Sequence, residues 1–128
     1  MLNEQETTNV AALNAYYGKL QVSDADGAAA FYADDLAFWV CPGSDYSGTH
    51  SKTAMVERLL PQFFGSQDGP IRFDITSMTA QDDRVHVEAT GKMALKGGGR
   101  FDNNYSWLFR LRDGKIVSIK EFFTPLDA

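Results

Sequence analysis

The chain has 128 residues and 14.2 kDa, with 44% hydrophobic and 23% charged residues, which is one domain's worth of sequence with enough apolar material for a core. A net charge of -5 and a pI near 4.8 exclude a nucleic-acid partner, because phosphate-backbone affinity needs a basic surface. One cysteine and two histidines leave no internal disulfide and no thiolate or three-histidine zinc site, so any metal would have to lean on carboxylates; the expectation is no metal and no cofactor.

The opening residues Met1 to Asn9 are polar and acidic, unlike a secretory signal, and apolar runs such as Leu36 to Cys41 fall far short of the roughly 20 residues of a membrane span. A cytoplasmic protein without membrane contact is expected. From Val10, the positions Val10, Leu13, Tyr16, Tyr17 and Leu20 recur at helical spacing. Ser23 reads as the N-cap of a second short helix, with Asp26 three positions on, running through Ala28, Phe31 and Tyr32 until Asp34-Asp35 ends it. Leu36 to Cys41 is a strand closed by Pro42-Gly43, and a loop rich in Ser, Gly and Asp follows. Ser51 caps a third helix carrying Met55, Val56, Leu59, Leu60 and Phe63, with Pro61 kinking or shortening it and Gly65 stopping it.

After Gly69 the period changes from helical to alternating. Ile71, Phe73 and Ile75 form one row, Val85, Val87 and Ala89 a second, Tyr105, Trp107, Phe109 and Leu111 a third, and Val117, Ile119 and Phe123 a fourth. The turns Gln81-Asp82-Asp83, Gly97-Gly98-Gly99 and Asp113-Gly114 join them into an antiparallel meander. Helices first and strands after read as a single α+β domain over residues 1–128.

A glycine bulge at Asp113-Gly114 aligns Phe109 with Val117, Trp107 with Ile119 and Tyr105 with Glu121. Carried across the glycine turn, the same face holds Thr90 near Tyr105, Glu88 near Trp107 and His86 near Phe109. Helices over one side of such a sheet leave a concave, aromatic-lined hollow, the usual form of a small-molecule site. The aromatic share of 12% is thereby assigned to core and pocket wall, which composition cannot separate. The opposite face, with Val85, Val87, Met93 and part of Leu108 and Phe122, is too apolar for water and predicts a homodimer.

These residues carry a resemblance. Ala33-Asp34-Asp35, Pro42-Gly43 with Ser47-Gly48-Thr49, Asn103-Asn104-Tyr105, and Phe109 to Ile116 followed by Lys120-Glu121-Phe122-Phe123 occur in an order and spacing that, over nearly the whole chain, resembles the SnoaL-like, ketosteroid-isomerase-related branch of the nuclear-transport-factor-2-like superfamily. The resemblance implies a cone of curved, antiparallel or mixed sheet wrapped around N-terminal helices in the manner of an α+β barrel, a deep apolar pocket and a homodimer. The isomerases of that branch use an Asp base with an oxyanion hole made of a Tyr hydroxyl and a protonated Asp. By the resemblance, Tyr16 falls at the oxyanion tyrosine, the base falls on Val40 or Cys41, and the protonated acid falls on Trp107, which donates an indole N–H but cannot titrate. Glu121 falls where epoxide hydrolases and polyketide cyclases of similar fold place an acid; the Arg and Asp that the hydrolases add on a preceding strand fall on Glu88 and Thr90.

The resulting candidates are Glu121 and Tyr16 for catalysis, with Trp39, Glu88, Thr90, Asn103, Tyr105, Trp107, Ile119 and Phe123 around a small apolar or cyclic ligand. Each has a structural reading beside the functional one. Glu121 either transfers protons or contacts the ligand, or else it bonds Tyr105 or a helix amide; Tyr16 is an oxyanion donor or a core tyrosine; His86 and Glu88 face the pocket or a solvated rim; Trp39 walls the pocket or packs between helices. Cys41 reads as a small buried hydrophobe. Two functions remain open: a cofactor-independent isomerase, cyclase or dehydratase, and a non-catalytic ligand-binding or dimeric scaffold.

Overall fold

In the computed structural model, which describes residues 1–126, Asn3 opens helix α1 (Glu4–Gln21) with a capping box. Its side chain accepts from the Glu6 N–H at 2.8 Å, and the Glu6 carboxylate accepts from the Asn3 N–H at 2.9 Å, so two of the helix's orphan donors are satisfied. Leu13, Tyr16, Tyr17 and Leu20 make the buried stripe of α1, while Val10 is half-buried. Asp24, not Ser23, caps the short α2 (Ala25–Ala29), accepting from the Gly27 N–H at 2.9 Å. Ser23 instead takes a left-handed turn conformation with φ of 55°.

Tyr32 does not belong to that helix. It starts strand β1 (Tyr32–Val40), which contains Asp34 and Asp35. The acidic pair faces solvent in an irregular stretch of the strand, where Lys52 holds Asp34 at 3.2 Å and Arg112 holds Asp35 at 2.8 Å. The polar loop that follows contributes β2 (Gly48–His50), paired antiparallel with β1. Ser51 then caps α3 (Lys52–Ala54), accepting from the Ala54 N–H. A π-helical turn (Met55–Leu59) connects α3 to α4 (Leu60–Gly65). The Leu60 N–H reaches back to the Met55 carbonyl, and this wider turn admits Pro61, which lacks an N–H and would crowd a regular helix.

The remaining strands are β3 (Arg72–Gln81), β4 (Arg84–Lys92), β5 (Asn103–Arg112) and β6 (Lys115–Pro125). The sheet runs β2-β1-β6-β5-β4-β3; β1 and β6 are parallel and the other pairs antiparallel. It is a curved, mixed sheet in an α+β fold, and β2 and β3 form its unpaired edges. Among the described residues no helix is long and apolar enough to cross a membrane.

Two registers differ from the sequence expectation. Asp113 and Gly114, with φ of 52° and 74°, form a two-residue turn of the mirror-image kind that hairpins favour, pairing Arg112 with Lys115. The bulge lies further on, at Val117, between the pairs Leu111–Ile116 and Arg110–Ser118. Phe109 therefore faces Ile119, Trp107 faces Glu121 and Tyr105 faces Phe123. The shift from expectation is two residues, so the inward face is kept. Between β4 and β5 it is one residue: Ala89 faces Tyr105, Val87 faces Trp107 and Val85 faces Phe109. A one-residue slip exchanges faces, so Val85, Val87 and Met93 are core residues, 0%, 0% and 2% exposed, and not part of an outer apolar face.

Candidate functional site

Between the inner sheet face and the helices lies a hollow with about 730 Å³ of atom-free space, mouth included, of which about 90 Å³ is open to the centre of a water molecule. Its depth is built from Tyr16 and Tyr17 of α1, Tyr32, Phe38 and Val40 of β1, Met55 and Leu59 of the π turn, and Trp107, Phe109 and Ile119 of the sheet. Half-buried Ser44, Tyr46, Phe63, Phe101 and Phe123 line it nearer the surface. All five tyrosines of the chain lie on this wall. Glu121 is the one acidic residue among the lining side chains.

Strand β6 presents Glu121 inward because the bulge at Val117 leaves Ile119, Glu121 and Phe123 on the side of Ile116. The Trp107 indole Nε1–H donates to Glu121 Oε1 at 2.8 Å, the one hydrogen bond to that carboxyl among the described residues. Glu121 is half-buried by surface, since it faces the hollow, but the enclosing protein keeps bulk water from its charge. Burial pushes its pKa from the ordinary 4.5 up to about 7, and the Trp107 hydrogen bond offsets only part of the rise. A carboxyl so placed exists in both protonation states near neutrality, which suits an acid or a base.

The tyrosine hydroxyls complete the polar inventory. Tyr16 and Tyr32 share one hydrogen bond at 2.6 Å; two phenols carry two protons, so one O–H of the pair is left for another acceptor. Burial, foremost, raises both pKa values, and the charge of Glu121 adds to each. Both stay protonated donors. Tyr105 stacks on Trp107 with centroids 4.6 Å apart and planes within 8°, and its hydroxyl accepts from the Asn103 side-chain amide at 3.2 Å.

The structure thus brings Tyr16, Tyr105, Trp107, Ile119, Glu121 and Phe123 together around one hollow. Asn103 is buried but stands behind the wall, holding Tyr105. Three expected ligand contacts lie elsewhere. Glu88 and Thr90 point to the outer face, paired with Ser106 and Asn104, because the β4–β5 register differs by one residue. The inward positions of β4 are Val85, Val87, Ala89 and Gly91, so neither acid nor guanidinium from this strand joins Glu121. Trp39 also faces outward, between the inward Phe38 and Val40, and packs against Phe122 at 5.1 Å. His86 bonds the Ser106 hydroxyl at 2.8 Å on that outer face, and Cys41 is half-buried instead of a core residue.

Sequence reasoning missed Tyr32, Tyr17 and Phe73 as wall residues. The alternation Leu36, Phe38, Val40 announces the inward face of β1, but the irregularity between Tyr32 and Ala37 hides Tyr32 from that pattern. Tyr17 was visible as half of a tyrosine pair on the α1 stripe.

A family model for the SnoaL-like domain matches residues 13–119. The chain belongs to the SnoaL-like family. The match ends just before Glu121, so in this SnoaL-like protein the carboxylate lies outside the matched segment, on the last strand of the sheet. Solved structures agree on the fold. TerC co-crystallised with polyporic acid is similar at 22% identity, over 91% of this chain and 92% of that one, with a TM-score of 0.79. A nuclear-transport-factor-2-like protein from Burkholderia xenovorans is similar at 21% identity, over 94% and 92%, with a TM-score of 0.73. An LEH-like epoxide hydrolase from M. tuberculosis is similar at 21% identity, over 94% and 85%, with a TM-score of 0.79. A search of curated proteins finds no match.

Proposed function

We propose that this SnoaL-like protein is a cofactor-independent cytoplasmic enzyme that moves a proton on a small, largely apolar or cyclic carbonyl compound, with isomerisation, cyclisation or dehydration as the outcome. The observation that carries the reading is Glu121: a lone carboxyl in an aromatic hollow, with a pKa of about 7 and a single neutral hydrogen-bond donor. In its ionised form Glu121 takes a proton from the carbon beside the carbonyl, leaving an enolate. The spare O–H of the Tyr16–Tyr32 pair donates to the enolate oxygen. Protonated Glu121 then returns the proton to carbon, or to a leaving oxygen. A structural relative crystallised with polyporic acid supports a hollow that accepts a small molecule. The inward face of β4, without Arg or Asp, disfavours epoxide hydrolysis.

A second reading, a non-catalytic ligand-binding or dimeric scaffold, is favoured by one observation: Val40 or Cys41 and Trp107 stand where the resemblance places the isomerase acids. In either case we propose a homodimer through the outer sheet face, where Phe122 is 49% exposed beside Trp39 and Leu108.

The readings separate in heavy water. Proton NMR of cyclic ketones, beginning with 1-indanone and 2-tetralone, should show protein-dependent exchange of hydrogens beside the carbonyl. Glu121→Gln should abolish it while ligand affinity stays within a few-fold. Exchange at the full rate in Glu121→Gln overturns the catalytic reading, and a total lack of exchange with binding intact establishes the scaffold.

A further inference from the structure

Four of the five cavity-lining tyrosines have their hydroxyls provided for, and Tyr17 does not. Tyr16 and Tyr32 bond each other, Tyr105 accepts from Asn103, and Tyr46 is half-buried near the surface within reach of water. The Tyr17 hydroxyl is sealed from solvent and has no hydrogen-bond partner among the described residues. An unsatisfied buried hydroxyl costs folding free energy. The ring gives no reason to bear that cost. Its neighbours are Trp107 at 5.3 Å, Phe73 at 5.4 Å, Tyr16 at 5.7 Å and Phe109 at 6.2 Å, tilted or edge contacts that a phenylalanine makes equally well.

We propose that Tyr17 is a specificity-determining residue: a ligand that parts the rings around it uncovers its hydroxyl, which donates to an acceptor oxygen of that ligand, so that the hollow prefers a carbonyl compound to the hydrocarbon of the same shape. This rests on the reading of the hollow as a small-molecule site. Tyr17 serves there as a donor only: burial, and then the charge of Glu121, hold its phenol protonated. The bound state supplies the partner that the free protein lacks, a common way for a binding site to be less stable than its fold permits.

The test pairs 1-indanone with indane, alike except for the carbonyl, in calorimetric titrations of the full chain and of Tyr17→Phe. The wild type should bind the ketone about tenfold more tightly than the hydrocarbon. Tyr17→Phe should lose most of that factor for the ketone, the remainder coming from the O–H of the Tyr16–Tyr32 pair, bind indane unchanged, and melt at the same temperature or higher without ligand. Unchanged ketone affinity in Tyr17→Phe, equal affinity of the wild type for both probes, or a melting temperature lowered by several degrees each overturns the proposal while leaving the hollow a ligand site. If neither probe binds the wild type, the ligand-site reading itself falls, and this inference with it.

Discussion

The Trp107 indole and the Glu121 carboxyl meet across the β5–β6 pair at 2.8 Å. The donor cannot titrate and stands in an aromatic stack, so it orients the carboxyl without neutralising it. Stability therefore depends on pH. With a folded pKa of about 7 against an ordinary 4.5, folded Glu121 binds its proton more tightly than the unfolded chain does. The sign follows: the contribution is fully present below about pH 4.5 and is lost as pH rises to about 7, by up to about 3 kcal/mol. Urea denaturation at half-unit steps from pH 4.5 to 8 should show Glu121→Gln gaining on the wild type across that window and exceeding it at pH 8. Parallel curves for the two proteins would contradict the raised pKa.

The Tyr16–Tyr32 bond at 2.6 Å makes a second case in which partners must be judged together. Removing either hydroxyl leaves the other buried without its partner, so Tyr16→Phe or Tyr32→Phe alone should cost about 1 kcal/mol. The double variant should cost less than the sum of the singles, because neither hydroxyl is then orphaned. A double-mutant cycle by chemical denaturation reads this coupling directly; strict additivity would mean that the two phenols are satisfied independently.

What the sequence makes legible follows from how local each signal is. The α1 stripe, the Ser51 cap and the four strands after Gly69 need only near-neighbour spacing and lie where periodicity places them, but within the rows Ile75 is exposed and the bulge at Val117 gives its inward place to Ile116. Face assignments across long turns do not share that property. Nothing local to Glu88 or Thr90 reports the register across the Gly97-Gly98-Gly99 turn, whose three glycines all adopt positive φ, so a one-residue difference moved both residues to the outer face. The two-residue turn at Asp113-Gly114 and the bulge at Val117 changed the partners of Glu121 but not its face. Glu121 was therefore found among aromatic rings by parity, while its hydrogen bond to Trp107 instead of Tyr105 was not foreseeable. Tyr17's lack of a partner is a three-dimensional fact that no spacing encodes.

The outer face provides a test of assembly. Phe122, 49% exposed and 5.1 Å from the Trp39 ring, would sit near the middle of a sheet-to-sheet interface together with Leu108. Sedimentation at micromolar concentration should give a dimer, and Phe122→Glu should give a monomer, since it would place a like charge on each side of a desolvated contact. A monomeric wild type refutes the proposed dimer. A dimeric Phe122→Glu moves the interface elsewhere.

Gly91 of β4 is a close-approach glycine, required for space and not for backbone angle. A Cβ there would lie 2.6 Å from the Tyr105 Cε2 atom and 3.1 Å from the Phe73 Cε1 atom. The Tyr105 ring is stacked on Trp107 and its hydroxyl accepts from Asn103, so it retreats only by breaking one of those contacts. Against this, alanine would gain about 0.5–1 kcal/mol from the reduced freedom of the unfolded chain. Overpacking costs of about 1–3 kcal/mol should outweigh that gain. Gly91→Ala should therefore lower stability in chemical denaturation and alter the near-ultraviolet circular dichroism of the Tyr105–Trp107 stack. Because that stack also carries the donor to Glu121, proton exchange on ketones should fall in the same variant. Unchanged stability together with an unchanged aromatic spectrum would show that the rings yield freely, and that the wall around Glu121 is softer than its contacts indicate.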